Sequence, residues 1–308
     1  MKPSLADHAA ATSPSAYTTL VRRLPSSGPG APPHTLWSVS PLAPAHLGLD
    51  KVVLHQAWLI EAGADHIVLL ADLHAALRGG VAPSATERQA DCYEHYLTHI
   101  CMLPATIVRG SAFQRSPTYQ LQLAGLLDDS TGTNAGSDPH TRAAAMNVLD
   151  PRFLGIDAVV VDQTALLPGS VGGHQSSGRP TPIYAPPLYS TTGRPLREST
   201  PDTRITIHDS HHELVRRIKQ MYAPPGDHTL AQGSVNAVLE YFRWSVFPWV
   251  DDAVPVHLTG GGYGFFTSYE DLEAAYAAGR IQPSDAKTAL LLMVSARLQT
   301  IQAHLPGP

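Results

Sequence analysis

Residues 44–77 constrain the fold more than any other stretch of this chain: they read PAHLGLDKVVLHQAWLIEAGADHIVLLADLHAAL. The run His46-Leu47-Gly48-Leu49 predicts a small turn that opens a helix over 51–61, and Gly63 ends that helix. The apolar run Ile67-Val68-Leu69-Leu70-Ala71 then predicts a buried strand, with Asp72 and His74 at its C-terminal end. Turn, helix, strand and polar residues at the strand end form the grammar of a nucleotide-binding α/β half. In such folds ligands sit at helix N-termini and at the carboxyl ends of strands.

The rest of the chain extends this pattern. Residues 1–16 are polar and rich in Ala and Ser, 17–24 can form a short helix, and 26–33 (SSGPGAPP) are a Pro/Gly linker. A first strand is predicted over 34–40. A helix follows over 87–102, with Tyr93, Tyr96, Leu97 and Ile100 spaced for one buried face. Residues 106–109 predict a short strand, 128–139 a polar insertion, 156–161 a buried strand ending in Asp162-Gln163, and 169–182 a loop. Residues 204–207 alternate like a short strand. Asp209-Ser210 cap a helix over 211–221, and from 230 onward the chain reads helical, broken by Gly260-Gly261-Gly262. Strands alternating with helices, then helices alone, predict an α/β fold. Its Rossmann-like parallel sheet over 34–203, with an insertion near 113–150, is followed by a helical domain over 204–308.

Composition narrows the function classes. The 308 residues are 43% hydrophobic, enough for a large core, and only 15% charged, while 27 Pro and 24 Gly predict long loops. The formal net charge of −5 argues against a general nucleic-acid binder. Two cysteines, Cys92 and Cys101, with no CxxC spacing, predict neither a disulfide framework nor a Cys zinc site, and fit the reducing cytoplasm. No stretch reads as a membrane span and the N-terminus does not read as a signal peptide. His208 to Glu213 (HDSHHE) resembles a metal cluster by residue type, but Ser210 and Glu213 have capping-box spacing, so a helix start is expected there and no metal site.

Residues 44–77 are similar to the opening of the class I aminoacyl-tRNA synthetases, most of all the tyrosyl type of archaea and eukaryotes. That family carries H-x-G-H at the turn, then a helix, an E/Q-A-G stop and a strand ending LLADxHA; here Leu49 replaces the second His. The resemblance runs over 35–305. It includes Gly110-Ser111-Ala112-Phe113-Gln114 for the family's GSEFQ, Phe153-Leu154-Gly155-Ile156-Asp157 for YLGVD and Asp162-Gln163 for the end of GGxDQ. The helix from Glu213 into Ala223-Pro224-Pro225-Gly226 resembles EEIRxKIxKAYCPAG. Ser268-Tyr269-Glu270-Asp271-Leu272 and Pro283-Ser284-Asp285-Ala286-Lys287 resemble elements of the helical anticodon-binding domain.

The resemblance implies two sites. For adenylation, negative charge builds on the phosphates of ATP, so cations and donors must be aimed there. It places His46 and Gly48 in that role, against a plain buried or capping His46. Leu49 can donate nothing. The family's mobile Lys-rich loop maps onto residues 195–201, where both lysines are lost, to Leu196 and Pro201; Arg194 and Arg197 offer substitute charge, opposed by Glu198. ATP as a cofactor is therefore doubtful. For the amino acid, the resemblance implies a pocket lined by Leu69, His74, Phe113, Gln114, Asp150, Leu154 and Gln163. Leu36 stands in place of the Tyr that partners Asp150, and Ala143 and Asn147 stand in place of the pair that holds the substrate amine. A buried carboxylate facing Leu36 needs another hydrogen-bond partner, or it protonates. A helix cap or surface Asp is the plainer reading of Asp150. Asp285 maps onto a tRNA-binding position, but residues 298–308 (LQTIQAHLPGP) are almost uncharged, so tRNA binding is expected to be weak.

Three functions are compatible with these residues. One is a biosynthetic enzyme that binds and activates or transfers an aromatic or related amino acid. Another is a non-catalytic sensor or protein partner. The least favoured is a working synthetase with a rebuilt ATP site. A homodimer is expected through residues 113–150, where 119–127 (YQLQLAGLL) carries a continuous apolar face.

Overall fold

The structure, a computed structural model, describes residues 14–26, 28, 30–130, 138–162, 180–196, 203–226 and 234–305. The chain divides into two compact units, Met1–Pro44 with Val53–Pro186, and Ala45–Val52 with Pro187–Pro308. The described part of the first unit holds α1 (Pro14–Val21), β1 (His34–Val39), most of α2 (Leu49–Glu61), β2 (Asp65–Leu70), α3 (Asp72–Gly79) and α4 (Pro83–His95). After α4 come a π-helical turn (Tyr96–Ile100), β3 (Thr106–Arg109), the short α5 (Gly110–Phe113), α6 (Pro117–Ser130), α7 (Pro139–Phe153), β4 (Ala158–Asp162) and β5 (Thr181–Ala185).

All five strands are parallel, in the order β3-β2-β1-β4-β5. The order reverses between β1 and β4, which is where open α/β sheets bind ligands at their carboxyl ends. Leu36 of β1 pairs with Ile67 on one side and Val159 on the other. Val68, Leu69 and Leu70 are fully buried, as expected of a parallel strand covered on both faces. α1 closes one flank: Tyr17 and Val21 pack with Leu59, Ala64, Ala158 and Ile183, and the Tyr17 hydroxyl meets His55 Nδ1 at 2.6 Å.

The predicted strands at 34–40, 67–71, 106–109 and 156–161 are all present. The differences have local causes. β5 starts at the end of the loop expected over 169–182, and its edge position accommodates Pro182, which has no N–H to give. The helix expected from 87 begins at Pro83, since Pro suits the first helical turn. Asp72 and His74 do not merely follow β2 but open α3, buried. The apolar face of 119–127 is largely covered inside the chain, because Tyr119, Leu123 and Leu127 of α6 pack on Met146 and Leu149 of α7. Leu121 is left 77% exposed. Residues 131–137 and 163–179, which take in most of the expected polar insertion and loop, lie outside the described residues.

The second unit holds α8 (His211–Gln220), α9 (Ala237–Tyr241), a π turn (Phe242–Val246), a 3₁₀ turn (Phe247–Trp249), β6 (Val254–His257), β7 (Tyr263–Phe266), α10 (Tyr269–Ala277) and α11 (Pro283–His304). Ser210 and Glu213 form the predicted capping box at the start of α8. The glycine break is more than an interruption between helices. Gly261 and Gly262 take positive φ in the turn of an antiparallel hairpin, β6–β7. Its strands have four residues each, too few for their period-2 alternation to stand out. Residues 204–207 do not form a strand; they make one antiparallel bridge, Thr206 to His46. Among the described residues no helix is long and apolar enough to cross a membrane.

Candidate amino-acid site and the His46 turn

In the first unit, Asp150 is 2% exposed on α7. The partner that Leu36 cannot supply comes from two other side chains. The Tyr119 hydroxyl donates to Oδ1 at 2.5 Å, and Gln114 Nε2 donates to both carboxylate oxygens at 2.9 Å. His74 Nε2 stands 3.8 Å from Oδ2, too far for a hydrogen bond, so that oxygen keeps acceptor capacity. Burial raises the Asp150 pKa to about 6, opposed by the hydrogen bonds from Tyr119 and Gln114. Burial lowers His74 to about 4, against the Ala143 carbonyl, which favours its protonated form. At neutral pH the pair is therefore an ionised carboxylate beside a neutral imidazole.

The backbone around Gln114 explains how this cluster is held. Asp72 Oδ1 accepts from the N–H groups of Leu73 and Ser111 at 2.9 and 2.8 Å, tying the start of α3 to the turn after β3. Gly110 opens that turn. A Cβ there would lie 2.5 Å from Gln114 Oε1 and 3.0 Å from Asp72 Oδ1, so the position admits only glycine while Gln114 reaches Asp150. The Gln114 carbonyl accepts from Gln120 Nε2, whose side-chain oxygen accepts from Arg142 at 2.5 Å.

An apolar wall adjoins the polar cluster. Leu36, Leu69 and Ile156 form its buried centre, with Phe113 and Leu154 packed against it. The Phe113 ring stacks on Phe153 at 5.5 Å and meets Tyr119 edge-on. Leu36, Leu69, His74, Phe113, Gln114, Asp150 and Leu154 are thus gathered in one unit around β1, β2 and α7. Ala143 is buried, but Asn147, one turn further along α7, is exposed and stays outside the cluster. Gln163 lies outside the described residues. Tyr119 is the residue that sequence reasoning missed, since it was read as part of an apolar face. The signal was available: a buried tyrosine seeks a partner for its hydroxyl, and Asp150 lacked one.

The His46 turn groups with the second unit. Leu47 N–H donates to the Ile205 carbonyl and Ile207 N–H to the Ala45 carbonyl, fastening the turn to residues 205–207. His46 is 4% exposed, and its ring folds over Gly48, where a Cβ would come within 2.9 Å of Nδ1. Burial, with the Arg204 charge adding to it, lowers the His46 pKa to about 3, so the ring is neutral at physiological pH. Leu49 begins α2 and is 4% exposed; Leu196 is also buried. Arg194 is exposed, and Arg197 lies outside the described residues. Asp285 sits in the first turn of α11, 3.9 Å from His257 Nδ1. Among the described residues this turn offers a nucleoside triphosphate one neutral histidine, with the Arg204 charge acting on it and Leu49 adding no donor. Among the described residues no group of three His, Cys, Asp or Glu is placed to hold a metal.

No family model matches the chain. It is 30% identical over 268 residues to the tyrosine–tRNA ligase of Methanoculleus marisnigri, a match covering 81% of this chain and 82% of that protein. It is 26% identical over 283 residues to the corresponding ligase of Methanospirillum hungatei, covering 86% and 88%. Its fold is that of the Archaeoglobus fulgidus tyrosyl-tRNA synthetase solved with L-tyrosine, with a TM-score of 0.69 at 23% identity over 89% of this chain and 90% of that one. Identity over four fifths of both lengths, together with the parallel sheet order and the order of motifs along the chain, places this protein in the class I tyrosyl-tRNA synthetase family.

Proposed function

We propose that this chain binds an aromatic or similarly sized amino acid, or an aminoacyl derivative, and activates or transfers it in a biosynthetic reaction that does not rest on ordinary ATP-dependent adenylation. The observation that supports this most is the Asp150 cluster. A buried carboxylate with open acceptor capacity beside an apolar aromatic wall suits a ligand with a ring and a hydrogen-bond donor. The relatives are named tyrosine–tRNA ligases, so tyrosine is the first ligand to test. The neutral His46 and buried Leu49 favour a second reading, a non-catalytic amino-acid sensor using the same pocket; turnover of an aminoacyl substrate separates the two. Transfer RNA binding, if retained, is weak and salt-sensitive, and the compartment is the cytoplasm.

Calorimetry across pH tests the pocket. A ligand that donates to Asp150 needs its ionised form. Affinity is therefore expected in full above pH about 6 and to weaken as pH falls through that value, with the midpoint moved lower in the complex because the ligand favours the carboxylate. Asp150→Asn should weaken binding about tenfold or more and remove the pH dependence. Equal affinity for Asp150→Asn and the parent protein would place the site elsewhere.

A homodimer through α6 and α7 is part of the same proposal. Leu121 is 77% and Val148 40% exposed there, and apolar side chains of this size are commonly covered at interfaces. Light scattering at tens of micromolar protein, roughly the range in which a weak contact forms, should report twice the chain mass; a monomer would refute the assembly.

A further inference from the structure

We infer that the first unit carries a transition-metal site in which His95 and His99 chelate one divalent ion of the zinc, copper or nickel type, at the junction of α4 and the π turn that follows it. Neither residue belongs to the Asp150 cluster or to the His46 turn, so the site stands apart from the proposed function.

Spacing is the first argument. His95 is the last residue of α4, and His99 lies four residues on, inside the π turn. Two histidines at i and i+4 share one helical face and can clasp a single metal ion. The wider π turn has not parted them: their ring centroids are 4.5 Å apart and the planes only 13° from parallel. Single π turns are rare and are frequent at functional sites.

The protons are the second. The Thr98 hydroxyl donates to the Glu94 carbonyl at 2.7 Å, and the same oxygen stands 2.6 Å from His99 Nδ1. A carbonyl only accepts, so the hydroxyl proton points there and Nδ1 must be the donor in the second bond. That bond fixes the tautomer of His99: the proton is on Nδ1 and the lone pair on Nε2. A ring whose other nitrogen donates to a fixed oxygen is the form that metal-ligating histidines take. His95 supplies the second atom. Its Nε2 is buried and has no hydrogen-bond partner, an arrangement uncommon enough among buried polar atoms to need a reason.

Charge and access are the third. Asp91 and Glu94 stand on the turn before His95, and Arg109 pairs with both, at 2.6 and 2.5 Å. Two carboxylates against one guanidinium leave a net negative charge close to the histidines, which favours a cation. Among the described residues no third His, Cys, Asp or Glu is placed to join the pair, so water completes the coordination. Imidazole ligands suit zinc, copper and nickel, whereas calcium and magnesium take oxygen. Zinc–nitrogen bonds of about 2.0–2.1 Å in a tetrahedron put two donor atoms about 3.3 Å apart. The exposed His99 ring, pivoting at its bond to Thr98, turns from the stack toward His95 Nε2 to meet that distance.

Calorimetric titration of the full, untagged chain with zinc, nickel and copper(II) chlorides tests the site. The tightest event is expected to take one ion per chain, with copper bound most strongly. His99→Ala and His95→Ala should each weaken it about tenfold or more, because the second arm of a chelate acts at high effective concentration. Thr98→Val, which releases the His99 tautomer, should weaken it by about tenfold, as loss of a ligand's own hydrogen-bond partner does. His212→Ala, in the histidine-rich start of α8, should leave it unchanged. Electron paramagnetic resonance of the copper form should show two imidazole nitrogens in the parent chain and one in His99→Ala. Saturating zinc should raise the urea midpoint of the parent chain and not that of His99→Ala. His99 is exposed, so its variant stays folded even if His95→Ala does not. The inference is overturned if none of the three ions binds with Kd below about 1 mM, or if affinity and midpoint shift are unchanged in His99→Ala.

Discussion

Tyrosine-dependent ATP–pyrophosphate exchange is expected to run below ~10⁻² s⁻¹, roughly three orders of magnitude under a median enzyme turnover of ~10 s⁻¹. Removing one preorganised donor from a transition state that gathers charge costs ~10²–10³ in rate. By the family resemblance, Leu49 takes the place of a donor at the helix start, and Leu196 and Pro201 take the places of both lysines of the loop. Leu49 and Leu196 are buried, so neither position offers a site that water can fill as a substitute donor. His46 remains, but with its pKa near 3 it brings one N–H and no charge. Losses of groups acting on one charge are not additive, which is why the expectation is set at three orders rather than at the product of three. For the same reason Leu49→His alone should not restore exchange. Rates of ~1 s⁻¹ or more with tyrosine would contradict the proposed function and return the chain to ordinary ligase chemistry.

Four strands of the sheet were legible because they carry short apolar runs bounded by Gly, Pro or polar side chains, as in Ile67 to Asp72. The clustering of Asp150 with Gln114 and His74 was legible only through family resemblance; spacing alone does not bring residue 150 to residue 74. What sequence reasoning could not see has three physical causes. Short strands with Pro or Gly inside them, β5 and β6–β7, carry too few alternations to register against a loop or helical background. The role of Tyr119 depends on which face of α6 turns inward, and that is decided by α7, whose closest residues lie about a helix length or more away in sequence. Arg194 shows the third: charge can be counted along the chain, but this residue lines a cleft made by α8 and α11, so its neighbours Tyr222 and Lys287 are remote in sequence.

Arg297→Ala is expected to lower unfolding stability by ~3–5 kcal/mol, the cost of leaving a buried charge without its partner. Asp50 is fully buried in the first turn of α2. Arg297 of α11 meets it with two hydrogen bonds, Nη1 to Oδ2 at 2.6 Å and Nη2 to Oδ1 at 2.8 Å. Nη1 also donates to the Ser245 carbonyl at 2.6 Å, and the guanidinium lies 4.4 Å from the centre of the Trp249 ring. Ser245 in turn donates its hydroxyl to the Leu47 carbonyl at 3.0 Å, so the His46 turn and α11 are parts of one network. The next residue repeats the arrangement: Lys51 is held by Glu240 at 3.1 Å between the rings of Tyr189 and Trp244. The two halves of the Asp50 pair are not equivalent. Removing Arg297 takes the two-pronged guanidinium from a fully buried carboxylate, whereas Asp50→Ala leaves a guanidinium that is 12% exposed and still stacked on Trp249, so its cost should be the smaller. Arg297→Lys should recover only part of the loss, since an ammonium cannot span both carboxylate oxygens. Replacing the pair together, Asp50→Leu with Arg297→Met, should lie closer to the parent protein than Arg297→Ala does, because no charge is then left buried. Urea midpoints at constant m-value measure all four. A loss under ~1 kcal/mol for Arg297→Ala would mean that other contacts of Asp50 carry the carboxylate, and that the turn is held by its bonds to Ile205 and Ile207 instead.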